Sequence, residues 1–201
     1  IEWMCLPSFD SSSVFARLLD EKKGGSFDID VKNLLSVKQS YISRTNILVT
    51  RFKSENGIFE ILDFMPRYAS QDSNNKYSPP DVIRYFKHIE GEPEFVLHYQ
   101  PRLEYAQFQT KNFIEANYIK STTQKGAYDS LYLYSSFNLN AILDSNIIQL
   151  IKDEFCLISY NQKLLEQNVR RANLKMERTK VYWLNWTDNT KSFKRYEEEI
   201  I

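Results

Sequence analysis

The sequence predicts a mainly β protein that folds as a large antiparallel sandwich, and three observations point to that class. Many short segments alternate apolar and polar residues with a period of two, which is the pattern of half-buried strands. Turn residues separate these segments at intervals of about 8 to 12 residues, as they do in β-sandwiches. The 201 residues include 13 Tyr and 13 Phe but only 5 Gly, and aromatic side chains favour pleated, half-buried surfaces.

The start of the chain is predicted to form a strand and then a short helix. Residues 1–7 have the pattern of a strand, which ends at Pro7. Asp10, or one of the serines that follow it, is placed to cap a helix over residues 14–19. Gly24-Gly25 follows soon afterwards, so this N-terminal helix is expected to be short.

The clearest single element is a hairpin within residues 46–67, NILVTRFKSENGIFEILDFMPR. Residues 47–52 and 58–63 each alternate over about six positions, as strands do. Between them, Asn56-Gly57 tolerates the positive φ that a hairpin loop requires. Pro66 ends the second strand because proline cannot donate a hydrogen bond to a ladder.

The remaining segments extend the same pattern until the composition changes near the end. Residues 68–80 are polar and end in two prolines, so they are predicted to form an exposed loop. Residues 168–186 contain no Pro or Gly and space their apolar residues three and four apart, which predicts an amphipathic helix. The other predicted strands cover residues 27–31, 37–42, 81–88, 95–101 (after a turn at residues 90–93), 112–119, 127–134, 137–139, 147–151 and 154–160.

Charge and composition argue against several classes of partner. Lys plus Arg and Asp plus Glu number 26 each, so no net field draws the chain towards nucleic acid or an anionic membrane. No apolar run approaches the roughly 18 residues of a membrane span, and no signal peptide is expected. The basic residues between positions 170 and 180 alternate with Glu166 and Glu177, which indicates a solvated helix face.

The sulfur and imidazole side chains predict neither a disulfide framework nor a metal site. Cys5 and Cys156 are too few for such a framework and favour a reducing compartment, so a cytoplasmic location is expected. His88 and His98 lie ten residues apart on predicted strands, which is better explained by two strand-face histidines than by zinc ligands. We therefore expect no metal and no cofactor in this chain.

Three motifs are similar to a known enzyme family. They are the opening I-E-W-x-C-L-P-x-F-D-S-x-S-V-F-x-x-L-L-D-x-x-x-G-G, the hairpin's N-x-L-x-T-R-F with D-F-M-P, and the later V-I-R-x-x-x-x-I-E-G. They resemble the N-terminal β-domain of bacterial and archaeal glucoamylase-like and trehalase-like enzymes of glycoside hydrolase family 15. The resemblance implies a two-sheet super-sandwich over residues 1–163, a helical linker over residues 164–190 and, from residue 191, the start of a catalytic (α/α)6 barrel.

The family implies an activity whose catalytic groups lie outside this chain. Such enzymes invert the anomeric carbon with two carboxylic acids, one as general acid and one as general base, and both lie in the barrel beyond residue 201. The substrate would be trehalose or an α-glucan. Asp10, Asp20, Glu60 and Asp63 are therefore interpreted as solvated or capping carboxylates. The candidates for contact with the barrel or with the rim of its pocket are Trp3, Pro7, Phe9, Asp10, Asp63, Met65, Arg67, Trp183 and Trp186.

Three functions from different classes remain open at this point. The first is a non-catalytic domain that packs on its own C-terminal barrel, and it predicts an apolar patch at the two C-terminal tryptophans and the family loops. The second is an independent carbohydrate-binding module, which predicts a row of coplanar exposed aromatic rings. The third is a structural domain or a homo-oligomer, which predicts only a self-complementary contact.

Overall fold

The computed structural model describes residues 1–69 and 76–189 of the 201-residue chain. The predicted start of the barrel at residue 191 and the middle of the predicted loop, residues 70–75, lie outside the described residues. The strands are β1 (Met4–Cys5), β2 (Ser13–Phe15), β3 (Ser26–Val31), β4 (Leu34–Tyr41), β5 (Leu48–Ser54), β6 (Gly57–Phe64), β7 (Tyr68–Ala69), β8 (Lys76–Tyr77), β9 (Asp81–Gly91), β10 (Glu94–Gln100), β11 (Thr110–Glu115), β12 (Tyr118–Thr123), β13 (Ser130–Ser135), β14 (Ile147–Gln149) and β15 (Glu154–Tyr160). The helices are α1 (Leu139–Leu143) and α2 (Val169–Asp188), and Glu104–Ala106 forms a single left-handed turn with φ of 55° to 58°.

Two antiparallel sheets pack face to face, which confirms the predicted mainly β sandwich. The larger sheet has eight strands in the order β11-β12-β13-β15-β9-β6-β5-β4. The smaller has three, β14-β10-β3, and lies against the inner face of the larger one. The pairs β1-β2 and β7-β8 form two separate short ladders.

Aromatic rings fill the space between the two sheets. Phe95, on the central strand of the small sheet, stacks on Phe59 and Phe86 of the large sheet with ring centroids 5.3 and 5.6 Å apart. Phe137 meets Phe95 edge-on at 5.8 Å. All four side chains are buried, so this stack provides the main apolar contact between the sheets.

The outer face of the large sheet is also buried, because α2 lies across it. Ala172 and Met176 of the helix pack in one cluster with Ile83, Tyr85 and Leu157 of the central strands. The first six residues of β9 are consequently all buried, although their side chains point alternately to the two faces. The molecule therefore has three layers: the small sheet, the large sheet and a helix.

The short helix predicted over residues 14–19 is wrong. Ser13–Phe15 is β2, which pairs with β1, and the chain then makes one turn in which the Leu19 amide donates to the Ala16 carbonyl at 2.9 Å. The Ala16 amide donates to the carbonyl of Gly24 at 2.8 Å. Together with the bond from the Arg17 amide to the Gly25 carbonyl at 3.1 Å, this bond pairs the chain after β2 with residues 24–25 instead of continuing a helix.

The strand predicted over residues 137–139 is also wrong, because a helix begins there. The side-chain oxygen of Asn138 accepts hydrogen bonds from the amides of Asn140 and Ala141, at 2.9 and 3.3 Å. This is an N-cap, and it starts the five-residue α1. Phe137 and Leu139 flank the polar Asn138, which resembles the alternation of a strand. Asn138 instead caps the helix, so the chain turns helical at Leu139.

The predicted turn at residues 90–93 does not close a hairpin. β9 ends at Gly91 and β10 begins at Glu94, but β10 pairs with β3 and β14 in the other sheet. The connection therefore carries the chain from one layer of the sandwich to the other. Side chains of β10 such as Phe95 and Leu97 complete the inner core from that position.

Candidate functional site

One end of the sandwich, which we call the loop end, holds most of the predicted contact residues. It is the end at which β6 finishes at Phe64 and β9 begins at Asp81. β3 begins and β10 finishes at the same end, since the Phe27 carbonyl accepts a 2.6 Å hydrogen bond from Arg84 of β9. The opposite end carries shorter connections, such as the one between β5 and β6.

Arg67 fixes the second half of α2 to the loop end. Its backbone amide donates to Oγ1 of Thr179 at 3.1 Å, and its Nε donates to the hydroxyl of Tyr182 at 3.2 Å. Its guanidinium lies 5.4 and 5.7 Å from the ring centroids of Tyr182 and Trp183, within the range of a cation–π interaction. Thr179 is fully buried and its hydroxyl donates to the Lys175 carbonyl at 2.8 Å.

This contact can be tested with Thr179→Val, which keeps the shape of the side chain and removes its hydroxyl. We expect the free energy of unfolding to fall by about 1–2 kcal/mol, because the Arg67 amide loses its acceptor. Urea unfolding of the 201-residue chain measures the change. Asn173→Ala, on the exposed side of the same helix, is the control and should stay within about 0.5 kcal/mol. Equal effects of the two changes would mean that the hydroxyl does not anchor the helix.

The two C-terminal tryptophans lie together beside this anchor. The rings of Trp183 and Trp186 meet edge-on, with centroids 5.7 Å apart and planes at 78°. Trp183 is half-buried, whereas Trp186 remains 47% exposed. An ion pair between Arg44, on the connection from β4 to β5, and Asp188 holds the last turn of α2. The helix thus ends against the loop end with one large apolar ring uncovered.

Asp63 is a structural carboxylate rather than a surface one. Its oxygens accept two hydrogen bonds from Arg84, at 2.8 and 3.1 Å. The Arg84 guanidinium is 8% exposed and lies 4.8 Å from the centre of the Phe27 ring. Burial opposes the charge of Arg84, but the adjacent Asp63 outweighs it and the pKa of Arg84 is raised. The pair therefore joins the two sheets at the loop end.

The N-terminal segment adds an exposed apolar surface. Trp3 is 41% and Phe9 94% exposed, and Pro7 and Asp10 are exposed beside them. The Phe27 amide donates to the Ile1 carbonyl at 3.0 Å, which fixes this segment next to β3. The surface continues in the turn after β2, where Leu18 and Leu19 are 68% and 70% exposed.

The structure brings some of the predicted residues together and separates others. Arg67, Trp183 and Trp186 form one cluster with α2, and Met65, 43% exposed, precedes Arg67 on the same corner. Trp3, Pro7, Phe9 and Asp10 belong to the separate N-terminal segment, and Asp63 points into the sandwich. The sequence reasoning did not identify the roles of Thr179, Tyr182, Leu18 and Leu19. The last two were assigned to a helix that does not form, which concealed their exposure.

Two other carboxylates singled out in the sequence have local partners. Asp20 caps a turn through the amides of residues 22 and 23, and Glu60 pairs with Arg51 at 2.7 Å. Over residues 1–69 and 76–189, no group of three or more His, Cys, Asp or Glu side chains could hold a metal ion. No helix in those ranges is long and apolar enough to cross a membrane.

The fold and this surface define a class of protein: a β-sandwich domain with a docked C-terminal helix and an uncovered apolar end. Residues 1–142 match the family model described as trehalase-like, N-terminal. The chain belongs to that family of N-terminal domains.

Curated relatives cover most of the chain. A trehalase of Thermoplasma acidophilum is 29% identical over 196 residues, which cover 94% of this chain and 33% of the relative. A trehalase of Thermoplasma volcanium is 28% identical over 200 residues, with 94% and 31% covered. Trehalase 2 of Sulfolobus acidocaldarius is 47% identical over 66 residues, 33% of this chain and 11% of the relative. The chain thus spans about a third of the length of the first two relatives. No solved structure matches it.

Proposed function

We propose that this chain is the non-catalytic N-terminal domain of an inverting glycoside hydrolase, and that its loop end packs on a C-terminal catalytic barrel. The observation that supports this most is the apolar surface of the loop end, where Phe9, Leu18, Leu19 and Trp186 are exposed. Exposed apolar residues also occur elsewhere, for example at Leu35 and Ile151, but neighbouring ones such as Leu18 and Leu19 favour a binding partner. The family match and the length of the relatives provide such a partner within the same polypeptide.

The substrate we propose for the complete enzyme is trehalose. The names of the relatives favour it over the α-glucans of glucoamylase-like enzymes. Glu60 and Asp63 are each paired with an arginine of the domain. This supports placing the two catalytic acids in the barrel. Cys5 and Cys156 are free thiols, which supports a cytoplasmic location.

An independent carbohydrate-binding module is a weaker explanation. It requires coplanar exposed rings, but Trp183 and Trp186 meet edge-on at 78°. Tyr68 and Tyr77 stack on each other at 4.7 Å, so each ring has one face covered by the other. We therefore treat sugar binding by the isolated domain as an outcome that would contradict the proposal.

Hydrolysis of trehalose, maltose and maltooligosaccharides, by the full-length enzyme and by residues 1–201 alone, tests the activity. We expect the full-length enzyme to cleave trehalose and the isolated domain to cleave none of these sugars. Hydrolysis by the isolated domain would overturn the non-catalytic role. Cleavage of maltooligosaccharides but not of trehalose would overturn the substrate.

The docking surface is tested by Phe9→Ser, with Ile151→Ser as the matched control. Both side chains are exposed and apolar, 94% and 61% exposed, but Ile151 lies at the opposite end of the sandwich. In the isolated domain both variants should keep the wild-type melting temperature. In the full-length enzyme only Phe9→Ser should lower it, because only that residue is covered by the barrel. Equal melting temperatures of the two full-length variants would contradict docking through the loop end.

A further inference from the structure

A cationic cleft lies beside the first half of α2, away from the tryptophan pair. Its volume is about 470 Å³, and its walls are the β7-β8 ladder, residues 162–167 and one side of the helix. Four basic side chains line it, and the lining residues within the described part of the chain include no Asp or Glu. The basic side chains are Lys163, Arg171, Lys175 and Arg178.

Helix geometry places three of these charges in one row. Positions 171, 175 and 178 are four and three residues apart, so they share one side of α2 over about 10 Å. The sequence grouped them with Arg170 and Lys180 as a solvated face. The structure separates the two sets, because Arg170 and Lys180 do not line the cleft.

Lys175 is the most buried of the four cations, and its ammonium group contacts Asp81 and Gln167. Its Nζ is 3.9 Å from Oδ2 of Asp81, which is fully buried, and 3.5 Å from Oε1 of Gln167. Burial lowers the pKa of Lys175, and the Asp81 carboxylate opposes that shift. Burial raises the pKa of Asp81, whereas the Ser159 hydroxyl and the Lys175 charge oppose that shift. Among the described lining residues, Lys175 is thus the cation that lies next to this buried acid.

The other three cations are held in place without a carboxylate. The Arg178 guanidinium lies 5.4 Å from the Tyr68 ring centre, and the Lys163 ammonium lies 5.1 Å from that of Tyr118. Arg171 donates to the Glu166 carbonyl. Among the described residues, none of these three lies within salt-bridge distance of an acid. They are positioned by rings and backbone, and the pKa of Lys163 is raised by its hydrogen bond with Tyr118 and by a nearby acid, Glu115.

Tyr77 provides a neutral donor in the same wall. Burial raises its pKa to about 12, and the nearby Asp81 charge adds to the effect. Its hydroxyl is protonated at neutral pH and hydrogen-bonds with Tyr68 in the same wall. The cleft thus combines guanidinium, ammonium and hydroxyl donors around one concave space.

We propose that this cleft is a binding site for a phosphorylated small molecule. Phosphate oxygens accept several charge-assisted hydrogen bonds at once, and two arginines match their geometry better than lysines alone. Concave walls concentrate the positive potential and attract anions. The volume falls within the range of small-molecule pockets, so it accommodates an oligophosphate or a sugar phosphate as well as one phosphate ion. A bound phosphate would join the β7-β8 ladder, residues 162–167 and α2.

The test is calorimetric titration of the full-length protein with orthophosphate, tripolyphosphate and a hexose 6-phosphate, at constant ionic strength set with KCl. The probe that binds most tightly distinguishes an inorganic phosphate from a phosphorylated metabolite. The double variant Arg171→Gln with Arg178→Gln removes two charges from the cleft. The control, Arg170→Gln with Lys180→Gln, removes two charges from the same helix outside it. Chloride-only melting curves show whether both variants are folded.

We expect at least one probe to saturate the wild-type protein. Its Kd should rise at least about tenfold in the cleft variant, because two charge-assisted contacts are lost, and less than about twofold in the control. Equal weakening in both variants would mean that only the general charge of the helix attracts the anion, and would overturn the proposal. Absence of saturable binding by all three probes would overturn it as well.

Discussion

Replacing Asp63 with alanine is expected to lower the free energy of unfolding by about 3–5 kcal/mol. The change leaves the Arg84 guanidinium, only 8% exposed, without the carboxylate that it contacts through two hydrogen bonds. An unpaired buried charge is costly because it cannot regain its hydration. Urea unfolding of the 201-residue chain, monitored by circular dichroism, gives the value.

Glu60→Ala is the matched control for this prediction. Glu60 lies on the same strand and its side chain is as covered as that of Asp63, 17% against 18% exposed. Its partner Arg51, however, is 46% exposed and returns to water when the pair is broken. We therefore expect a loss of less than about 1 kcal/mol. The double variant Asp63→Leu with Arg84→Met should recover part of the Asp63→Ala loss. Similar losses for Asp63→Ala and Glu60→Ala would contradict the role of burial.

Phe95→Ala is expected to cost a similar amount, about 3–5 kcal/mol, for a different reason. The ring is fully buried and contacts Phe59, Phe86 and Phe137 at centroid distances of 5.3 to 5.8 Å. Removing it leaves a cavity between the two sheets, which rigid strands do not close. Urea unfolding measures the change. The stability of Phe95→Leu should lie between that of the wild type and that of Phe95→Ala, because leucine fills part of the cavity.

The control for the cavity is Phe113→Ala on the edge strand β11, where the ring is 49% exposed. Its removal should change the free energy of unfolding by less than about 0.5 kcal/mol. If Phe95→Ala cost no more than this, the contact between the two sheets would not depend on the aromatic stack.

The sequence predicted those elements whose pairing is local or whose two faces differ. The hairpin of β5 and β6 was predicted, but its connection is Glu55-Asn56, shorter than the predicted residues 53–57, because Ser54 pairs with Gly57. β15 was predicted over residues 154–160, its full extent. The helix predicted over residues 168–186 is α2 to within two residues at each end, because its apolar spacing matches the side that lies on the sheet.

Features that depend on distant contacts were not predictable from the pattern. β10 follows β9 directly, yet its partners are β3 and β14, which lie far away in sequence. Asp63 was interpreted as a solvated or capping carboxylate, and its partner Arg84 became apparent only when β6 and β9 paired. The cationic cleft likewise depends on where α2 lies relative to the β7-β8 ladder. Residue spacing on the helix alone does not separate Arg171 from Arg170.

The position of α2 at the end of this domain also affects how the chain folds while it is being synthesised. The helix is the last described element to be translated, yet it covers the outward side chains of β9 and β15, including Ile83, Tyr85 and Leu157. Because the helix is synthesised after the strands, this sheet face stays in water until residues up to Asp188 leave the exit tunnel. A ribosome adds about 5–20 residues per second, which sets the length of that delay. The nascent domain is therefore most exposed to chaperones, and to aggregation, just before its final helix emerges.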